Sequence, residues 1–302
     1  MQSELILFYN VENFFPPDDK SDGKKMSGLF NWDAYKYNLK LRKINNVFRL
    51  VEEDFGKLPS VIGLAEIGDI SVLEDLKKED SPIKNYEIIY EKSNDSRGLS
   101  VALLYNPQRL ILLQYKLLNF PAQDFDTEET RDILEVEFLL NHKKIHVFVL
   151  HLPSKRLQDA KKDFREYIFD RFKKRLEHLF ETNEAIIIMG DFNENPSHEK
   201  IKQLLLDRDE NQVLENPFES FFSKHQFTSF HRKNGVVFDQ FLYSKTLLNA
   251  LNYSLSAGIF DHIKLRNCDR KNNKFPLRTY SGTRYMGGYS DHFPIILQLK
   301  HD

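Results

Sequence analysis

Two short motifs carry the residue types best suited to chemistry. In GDFN, Gly190 follows a run of aliphatic residues, and Asp191 and Asn193 come directly after it, two positions apart. Since side chains alternate along an extended chain, Asp191 and Asn193 are expected on the same side. In SDH, Asp291 and His292 stand just before the last aliphatic run of the chain. Each motif alone also fits an ordinary turn, so a functional site can be inferred only if other polar residues accompany the two motifs.

Other polar residues end apolar runs in the same way. The run LILFYNVEN ends in a segment with Asn10 and Glu12, VIGLAE ends in Glu66, and IHVFVLH ends in His151. Strand ends are where α/β folds place ligands, which favours a functional site. Taken singly, each also has a plainer interpretation as a turn residue, a surface carboxylate or a structural histidine.

One carboxylate interrupts an apolar strand. Asp239 lies within FDQFLYS, and a buried charge there needs a hydrogen-bonding or ionic partner. Asp291 and His292, just before the last strand, supply that candidate. A histidine oriented by an aspartate is a unit used for general acid and base catalysis.

The remaining oxygen donors predict a metal of a particular kind. Carboxylate and amide oxygens are hard ligands that suit Mg²⁺ or Mn²⁺, and these ions favour phosphate chemistry. The candidate ligands are Asn10, Glu12, Glu66 and Asp291. Zinc spacings such as HExxH or paired CxxC are absent from the sequence, as are a P-loop and a GxSxG elbow. The combination predicts a divalent-metal-dependent hydrolase of phosphate esters.

A group of polar and basic residues follows His151. Ser154, Lys155 and Arg156 stand at the expected start of the second helix, from about Leu157 to Phe180. A helix N-terminus with a hydroxyl and two cations is suited to a phosphate contact. An N-cap followed by solvated basic residues explains the same pattern equally well.

The elements that position these residues are mostly short strands. Nine β-branched or aliphatic runs are predicted as strands: Leu5 to Tyr9, Val61 to Leu64, Tyr86 to Tyr90, Leu99 to Tyr105, Leu134 to Leu140, Ile145 to Leu150, Ala185 to Met189, Val236 to Tyr243 and Phe293 to Leu299. The segment Asn141 to Lys144 predicts an antiparallel hairpin between two of them.

Two helices are predicted between the strands. The first has an apolar stripe at spacings of three and four from Tyr37 to Phe55. The second carries many basic residues, including Arg165 and Arg171, for which a solvated face is favoured over a nucleic-acid stripe. Two long loops, Pro16 to Leu29 and the basic segment Asn267 to Gly288, complete the pattern. Because no linker or repeat is found, residues 1–302 are expected to form one domain.

Composition limits the partners and the compartment. A formal charge of −2 provides no global positive field, so nucleic acid is neither favoured nor ruled out as a substrate. The single cysteine, Cys268, fits a reducing compartment, and a cytoplasmic location is expected unless a signal peptide has been removed. No apolar run approaches the roughly 20 residues of a transmembrane segment. Nothing in the sequence indicates an oligomeric state.

Taken in order, the motifs resemble those of the endonuclease/exonuclease/phosphatase superfamily. The matching pieces are YNVENF, GLAE, SRGLSVALL, LHLPS, IIIMGDFN, FDQFL and GGYSDHFPI, from residue 9 to residue 295. This group includes deoxyribonuclease I-like nucleases, abasic-site endonucleases, inositol polyphosphate 5-phosphatases and bacterial sphingomyelinases. The resemblance implies a four-layered α/β sandwich, with two mixed, mainly antiparallel sheets face to face, helices outside, and the site at one end.

The resemblance also implies roles for the candidate residues. Glu66 would be the main metal carboxylate, completed or supported by Asn10, Glu12 and Asp291. The catalytic core would be Asp191 with His292 oriented by Asp239, and either Asp191 or that pair would deprotonate an attacking water. Asn193 and His151 would donate hydrogen bonds to the phosphate oxygens. Lys155, Arg156 and the basic loop from Arg266 to Arg284 would contact further phosphates.

Departures from subgroup patterns leave the substrate open. GDFNENP and FDQFLYS differ from the 5-phosphatase segments, and Ala65 and Glu12 differ from the abasic endonucleases. The expected activity is a phosphodiesterase of nuclease type. The alternatives are a phosphomonoesterase or phospholipase-like enzyme and, less favoured, a non-catalytic binding protein on the same fold.

Overall fold

Two six-stranded sheets form the centre of the computed structural model. The structure describes residues 3–18, 28–78, 80–122, 125, 132–155, 159–231, 233–251, 253–269 and 273–301. In spatial order, the first sheet consists of β13 (Tyr253–Ile259), β16 (Ile295–His301), β1 (Glu4–Phe14), β2 (Val61–Ile67), β4 (Ser100–Tyr105) and β3 (Glu87–Tyr90). The second consists of β5 (Leu110–Leu118), β6 (Ile133–Leu140), β7 (Lys143–His151), β8 (Ala185–Asp191), β12 (Asp239–Ser244) and β9 (Leu214–Glu215).

Helices and two small hairpins complete the described elements. The helices are α1 (Ala34–Phe55), α2 (Ile70–Leu76), α3 (Lys162–Glu181), α4 (Glu199–Leu204), α5 (Phe218–Ser223) and α6 (Lys245–Leu251), with a 3₁₀ turn at Ile263–Leu265. The hairpins pair β10 (Ser229–His231) with β11 (Asn234–Val236), and β14 (Tyr280–Ser281) with β15 (Arg284–Tyr285). None of the helices described is long and apolar enough to cross a membrane.

Each large sheet contains one parallel strand pair at its centre. In the first sheet β1 runs parallel to β2, and in the second β7 runs parallel to β8. The other neighbouring strands pair antiparallel, so both sheets are mixed. Within each parallel pair both strands end at the same edge of the sheet, so polar residues at their carboxyl ends lie close together.

Three apolar clusters show that the fold has four layers. The cluster between the sheets includes Phe8 from the first and Val147 and Ile187 from the second. A second cluster joins the outer face of the first sheet to α1, and a third joins the outer face of the second sheet to α3 and α4. The predicted α/β sandwich, with mixed sheets face to face and helices outside, is confirmed.

Local sequence explains the clearest elements. The side chain of Asp33 accepts a hydrogen bond from the Lys36 amide and caps the start of α1, and Gly56 ends the helix in the left-handed region. Between β6 and β7, Asn141 and His142 both have positive φ, as a two-residue type I′ turn requires. The hairpin predicted there is confirmed.

The structure contains short elements that were not predicted, namely α2, α4, α5, α6, β9, β10, β14 and β15, and it differs from the prediction in larger elements as well. The strands β5 and β13 were not predicted: β5 is an edge strand with much of its surface exposed, and β13 is rich in serine. The run Val236 to Tyr243 is divided between β11 and β12, which belong to different sheets. The long helix α3 begins at Lys162, not near Leu157, so Ser154 and Lys155 do not stand at its N-terminus.

Candidate active site

Polar side chains from both sheets meet at the carboxyl ends of the parallel pairs. Asn10 and Glu66 lie near the ends of β1 and β2, while His151 and Asp191 end β7 and β8. Contacts cross from one sheet to the other: Asn10 Nδ2 donates to Asp191 Oδ2 across 3.1 Å, and His151 Nε2 lies 3.8 Å from Glu66 Oε1. The candidate site therefore bridges the two sheets at one edge of the sandwich.

Antiparallel neighbours bring the remaining residues to the same edge. Because β12 runs antiparallel to β8, its first residue, Asp239, pairs in register with Asp191, the last residue of β8. Similarly, β16 runs antiparallel to β1, and Asp291 and His292 precede its start. Chain direction alone thus collects residues that are up to 282 positions apart, as between Asn10 and His292.

A glycine is needed directly before Asp191. A Cβ on Gly190 would lie 2.3 Å from the backbone oxygen of Leu150 on the parallel neighbour β7. Any other residue would push β8 away from β7 and separate Asp191 from His151, its partner in register. The glycine of GDFN therefore permits the close approach that places these two side chains together.

Asp191 is buried at the centre of the site. Its Oδ1 accepts the backbone N–H of Asn193 at 2.9 Å. Its Oδ2 faces Asn10, His151 Nε2 at 3.5 Å and His292 Nε2 at 3.9 Å. Burial and the neighbouring charge of Asp239 raise the pKa of Asp191 to about 7.

His292 is held from behind by Asp239. His292 Nδ1 donates to Asp239 Oδ2 across 2.7 Å, and Asp239 is fully buried at the start of β12. Burial by itself lowers the pKa of His292, but the charge and hydrogen bond of Asp239 outweigh it, so the pKa lies well above its usual value. The contact fixes which nitrogen carries the hydrogen and turns Nε2 toward Asp191.

Glu66 adopts a conformation that is uncommon for a residue with a side chain. Its φ is 67°, in the left-handed region, at a break in the register between β2 and its neighbours. The backbone N–H of Asn13 donates to Glu66 Oε2 at 2.7 Å. The other oxygen, Oε1, is 3.8 Å from His151 Nε2, which is too far for a hydrogen bond. One oxygen is thus anchored while the side chain lines the cleft.

Asn193 is oriented by the segment after β7. Its Nδ2 donates to the backbone oxygen of Leu152 at 2.9 Å, and its φ of 51° turns the chain sharply after Asp191. Asn193 and Asp191 both line the cleft, but β8 ends at Asp191, so the turn and not strand alternation brings them to the same side. One amide hydrogen is used structurally, and the side chain carries a second.

Glu12 is buried and is not among the residues that line the cleft. Its carboxylate accepts the backbone N–H groups of Thr279, at 2.6 Å, and Tyr280, at 3.3 Å. Burial and the charge of Asp291 raise the pKa of Glu12 to about 7. The structure therefore places this carboxylate where it holds the segment that leads back to SDH; its predicted role as a metal ligand stays a prediction.

A buried lysine supports the same segment. Lys40 on α1 is 1% exposed, and its Nζ donates to Thr279 Oγ1 at 2.5 Å and to the backbone oxygen of Tyr289. Burial lowers the pKa of Lys40 to about 8, against the opposing charge of Glu12. Lys40 and Glu12 together hold the 279–289 segment against α1 and β1.

Asp291 lies at the rim of the cleft. Its Oδ2 forms an ion pair with Arg278 Nη2 at 2.7 Å, and its backbone oxygen accepts a hydrogen bond from Ser229 Oγ at 2.8 Å. The Ser290 hydroxyl donates to the backbone oxygen of Asn10 at 2.5 Å. These contacts join the SDH motif to β1 on one side and to β10 on the other.

Lys155 is positioned by a buried ion-pair network. Its Nζ lies 2.5 Å from Glu194 Oε2 and 5.6 Å from the ring centroid of Phe238. Arg165 of α3, also buried, donates to Glu194 Oε1 at 2.6 Å and to the backbone oxygen of Pro153 at 3.1 Å. The network ties α3 to both segments beside the cleft, and Arg156 lies outside the described residues.

A cleft of about 140 Å³ opens over these groups. Seven of the predicted site residues line it: Glu66, His151, Lys155, Asp191, Asn193, Asp291 and His292. Asn10 and Asp239 stand behind its wall and contact Asp191 and His292 respectively. The cleft is polar and small, which suits a phosphate group and part of the group esterified to it.

The donor set fits a divalent cation. At this edge of the described structure carboxylates outnumber cations: the acids are Glu12, Glu66, Asp191, Asp239 and Asp291, against Lys40, Arg278 and the imidazole of His292, with Lys155 paired to Glu194. Atoms of Asp191, Asp239 and His292 lie within 4.8 Å of one another, but Glu66 and Asp291, the carboxylates expected to hold the ion, are not part of that group. Hard oxygens with excess negative charge match Mg²⁺ or Mn²⁺ better than a soft metal.

Two supporting residues were missed although the sequence held a signal for them. Lys40 and Arg165 each stand on the apolar stripe of a helix, between Tyr37 and Ile44 in α1 and beside Phe164 in α3. A charged residue at a stripe position is expected to be buried and therefore paired. The interpretation of Arg165 as part of a solvated face is wrong, because it is 1% exposed.

The fold and the acidic cleft at one end of two facing sheets define a DNase I-like α/β sandwich. Residues 5–301 match the model of the Endonuclease/Exonuclease/phosphatase family. The chain belongs to that family, as the motifs predict, and it is an enzyme of the phosphoric ester hydrolase class. No curated protein sequence matches the chain.

Solved structures of similar fold include proteins with different substrates. D. rerio TDP2 complexed with single-strand DNA product is 16% identical, with a TM-score of 0.59 over 99% of both chains. A mannosyl-6-phosphatase from Bacteroides thetaiotaomicron is 15% identical, with a TM-score of 0.62 over 98% of this chain and 99% of that one. The human Nocturnin catalytic domain with bound sulfate is 14% identical, with a TM-score of 0.58 over 99% of this chain and 95% of that one. These similarities show the fold.

Proposed function

We propose that this protein is a divalent-metal-dependent phosphodiesterase of nuclease type that acts by in-line attack of an activated water. One observation carries the proposal: His292 Nε2, oriented by Asp239, faces Asp191 Oδ2 across 3.9 Å in a cleft that Glu66 also lines. That separation is wider than a hydrogen bond, so a reacting group can lie against both side chains.

Binding of the phosphate group falls to donors along the cleft. Asn193, fixed by its bond to Leu152, offers its second amide hydrogen, and His151 offers an imidazole N–H. Lys155 adds a positive charge from the Glu194 side. Hydrogen bonds from oriented donors strengthen as charge grows on the equatorial phosphate oxygens, which favours the transition state over the ground state.

Water activation falls to the buried acid and histidine. As the water oxygen bonds to phosphorus, the bond to the leaving oxygen breaks, and the water proton passes to Asp191 or, when the imidazole is neutral, to the His292–Asp239 pair. The leaving oxygen takes up a proton from the solvent. Both are fixed before substrate arrives, Asp191 by Asn10 and Asn193, and His292 by Asp239. Fixed geometry lowers the entropic cost of reaching the transition state.

Glu66 would hold the divalent ion, with Asn10, Asp291 and, by the family resemblance, Glu12 completing or supporting the site. When bound, the ion supplies charge neutralisation at the phosphate oxygens. The chain contributes an anchored Glu66 carboxylate and the excess acidity of this edge. Mg²⁺ is the ion proposed, with Mn²⁺ as a substitute.

A phosphomonoesterase is the second candidate. The solved structures of similar fold include a mannosyl-6-phosphatase as well as a TDP2 complexed with single-strand DNA product. The polar cleft of about 140 Å³ fits either a diester or a monoester phosphate. Initial rates with Mg²⁺ on DNA, RNA, inositol phosphates, sphingomyelin, sugar phosphates and bis(4-nitrophenyl) phosphate separate the two activities, and we expect the diesters to be hydrolysed faster than the monoesters.

The catalytic assignment is tested with Asp191→Asn. The variant keeps the size of the side chain but removes its charge, so we expect the turnover of every active substrate to fall about 10²-fold to 10⁴-fold. The control is Asp54→Asn, an exposed position on α1, which should retain wild-type rates. Undiminished hydrolysis by Asp191→Asn would refute the assignment, and a wild-type protein inactive on the whole panel would favour a binding protein.

A further inference from the structure

A second cavity adjoins the catalytic cleft. It has a volume of about 280 Å³, twice that of the cleft, and Phe230 and Asp291 line both. A backbone bridge between Ser229 and His292 fixes the strand that carries Phe230 beside the catalytic histidine. A group attached to a phosphate in the cleft can therefore extend directly into the second cavity.

The floor of this cavity is aromatic and apolar. The rings of Phe230 and Phe275 pack edge to face with centroids 4.4 Å apart, and Pro276, Leu277 and Met286 continue the apolar lining. Lys274 Nζ lies 5.3 Å from the Phe275 centroid and 6.0 Å from that of Phe230. The paired rings present π surface and the methionine a polarisable edge, both of which bind planar rings well.

The wall that carries Phe275 is held in place by backbone contacts. The N–H of Asn267 donates to the Phe275 oxygen, and the N–H of Leu277 donates to the Leu265 oxygen, both at 2.8 Å. A Cβ on Gly288 would lie 2.0 Å from the Leu277 oxygen, so the glycine permits this segment to pack against the chain that leads to SDH. These backbone contacts hold the wall of the cavity in place.

We propose that this cavity is a subsite for a planar aromatic ring in the group esterified to the substrate phosphate. The inference rests on the proposed function, because the ring is placed relative to a phosphate in the catalytic cleft. A polar rim of Arg278, Lys233 and Asn267 can bond to heteroatoms of a ring or to its substituents. The apolar floor disfavours a bare sugar, and a volume at the small end of ligand pockets disfavours a long lipid chain.

The test is the affinity for three phosphorothioates, which hydrolyse slowly: those of adenosine (5′), phenol and ribose (5-position). Calorimetric titration of the full chain with Mg²⁺ should show both aromatic compounds binding about tenfold more tightly than the ribose compound, since stacking on a ring contributes about this much. Comparison of adenosine with phenol distinguishes a nucleobase from a simple aryl group, and a preference for either supports the subsite.

Variants at one ring separate stacking from other effects. Phe275→Leu should weaken binding of both aromatic compounds about fivefold to tenfold and change that of the ribose compound less than twofold. Phe275→Tyr keeps the ring and should retain the preference. The matched control is Phe180→Leu, a half-buried phenylalanine at the end of α3 with Lys173 Nζ also 5.3 Å from its ring centroid.

Three results would overturn the subsite: equal affinities for the ribose and aromatic compounds, equal losses of all three in Phe275→Leu, or tighter binding of octyl phosphorothioate than of either ring. Binding and hydrolysis are measured separately. An active enzyme without ring preference contradicts the subsite alone, whereas ring binding by a protein inactive on the substrate panel contradicts the proposed hydrolysis alone.

Discussion

His292 depends on Asp239 for both its orientation and its charge. The two are joined by a 2.7 Å hydrogen bond, and Asp239 has no exposed surface. A neutral amide at position 239 would no longer favour the tautomer of His292 that carries its hydrogen on Nδ1. Removal of the imidazole would leave Asp239 without its hydrogen-bond partner. The pair is therefore expected to act as one catalytic unit.

A double-mutant cycle on hydrolysis tests this dependence. Asp239→Asn and His292→Gln are each expected to lower kcat about 10²-fold to 10³-fold on the preferred substrate. The double variant should lose little more than either single one, because each removes the same function. Losses that multiply would show that the two residues act independently.

A second acidic cluster lies away from the cleft and is neutralised by cations. Burial by itself raises the pKa of Glu135, but hydrogen bonds from Arg175 and His146 outweigh it and lower the pKa to about 2, from an ordinary value of 4.5. Arg175 Nε donates to Glu135 Oε2 at 2.9 Å, and Lys116 lies 3.4 Å from the same oxygen. The cluster therefore stabilises the fold through ion pairs.

This cluster predicts an acid dependence of stability. Since folding lowers the pKa of Glu135, its contribution is full above pH 4.5 and is lost as the pH falls toward 2. Glu135→Gln should lower the free energy of unfolding at pH 7 by about 2 kcal/mol, allowing for partial solvent screening. In urea titrations the difference from wild type should shrink below pH 4.5, while Glu53→Gln, an exposed control, changes little. If the difference in the free energy of unfolding between wild type and Glu135→Gln stayed constant down to pH 3, the predicted role of Glu135 would be wrong.

Among the elements, α3 connects the outer layer to the cleft through one buried charge. Arg165 binds Glu194, whose side chain is 4% exposed and also holds Lys155. Removal of the guanidinium would leave the buried carboxylate with Lys155 and His198, both partly exposed, as its remaining partners. Breaking a buried pair in this way is costly, whereas breaking an exposed one is not.

Arg165→Met preserves the apolar stem and removes the charge. We expect the free energy of unfolding in urea to fall by about 3 to 5 kcal/mol. We also expect KM to rise, because Glu194, which pairs with Lys155, is no longer held by Arg165. Arg171→Met, at an exposed position of the same helix, should change stability by no more than about 0.5 kcal/mol. If both variants were equally stable, the ion pair between Arg165 and Glu194 would contribute little to the stability of the fold.

Element patterns predicted most of the sandwich but missed three of its four edge strands, β5, β9 and β13. Strands buried on both faces, such as β2 and β8, have continuous apolar sequences and were located within a few residues. The edge strand β5 and the serine-rich β13 lack that pattern, since their stability comes from pairing with β6 and β16. Local sequence also could not show that Glu12 faces the amides of residues 279 and 280, because that contact spans 267 positions.

At the scale of the whole molecule, the site follows from topology. Two parallel pairs, one in each sheet, end at the same edge, and antiparallel neighbours begin there. The sequence motifs identified most of the residues that meet there, since polar residues at strand ends are expected to converge; Glu12 does not line the cleft, and Arg156 lies outside the described residues. Which of them bind each other depends on the packing of the two sheets, which no local pattern encodes. The single domain and the cytoplasmic location stay predictions.

The most direct test of the central proposal is the Mg²⁺ dependence of hydrolysis by wild type and Glu66→Gln. After treatment with a chelator, wild type should be inactive on bis(4-nitrophenyl) phosphate and should regain activity with a saturable Mg²⁺ dependence. Glu66→Gln should need at least about tenfold more Mg²⁺, since a main carboxylate ligand is lost, and Glu53→Gln should match wild type. Hydrolysis that survives the chelator, or the same Mg²⁺ requirement in Glu66→Gln, would contradict a metal-dependent mechanism centred on this carboxylate.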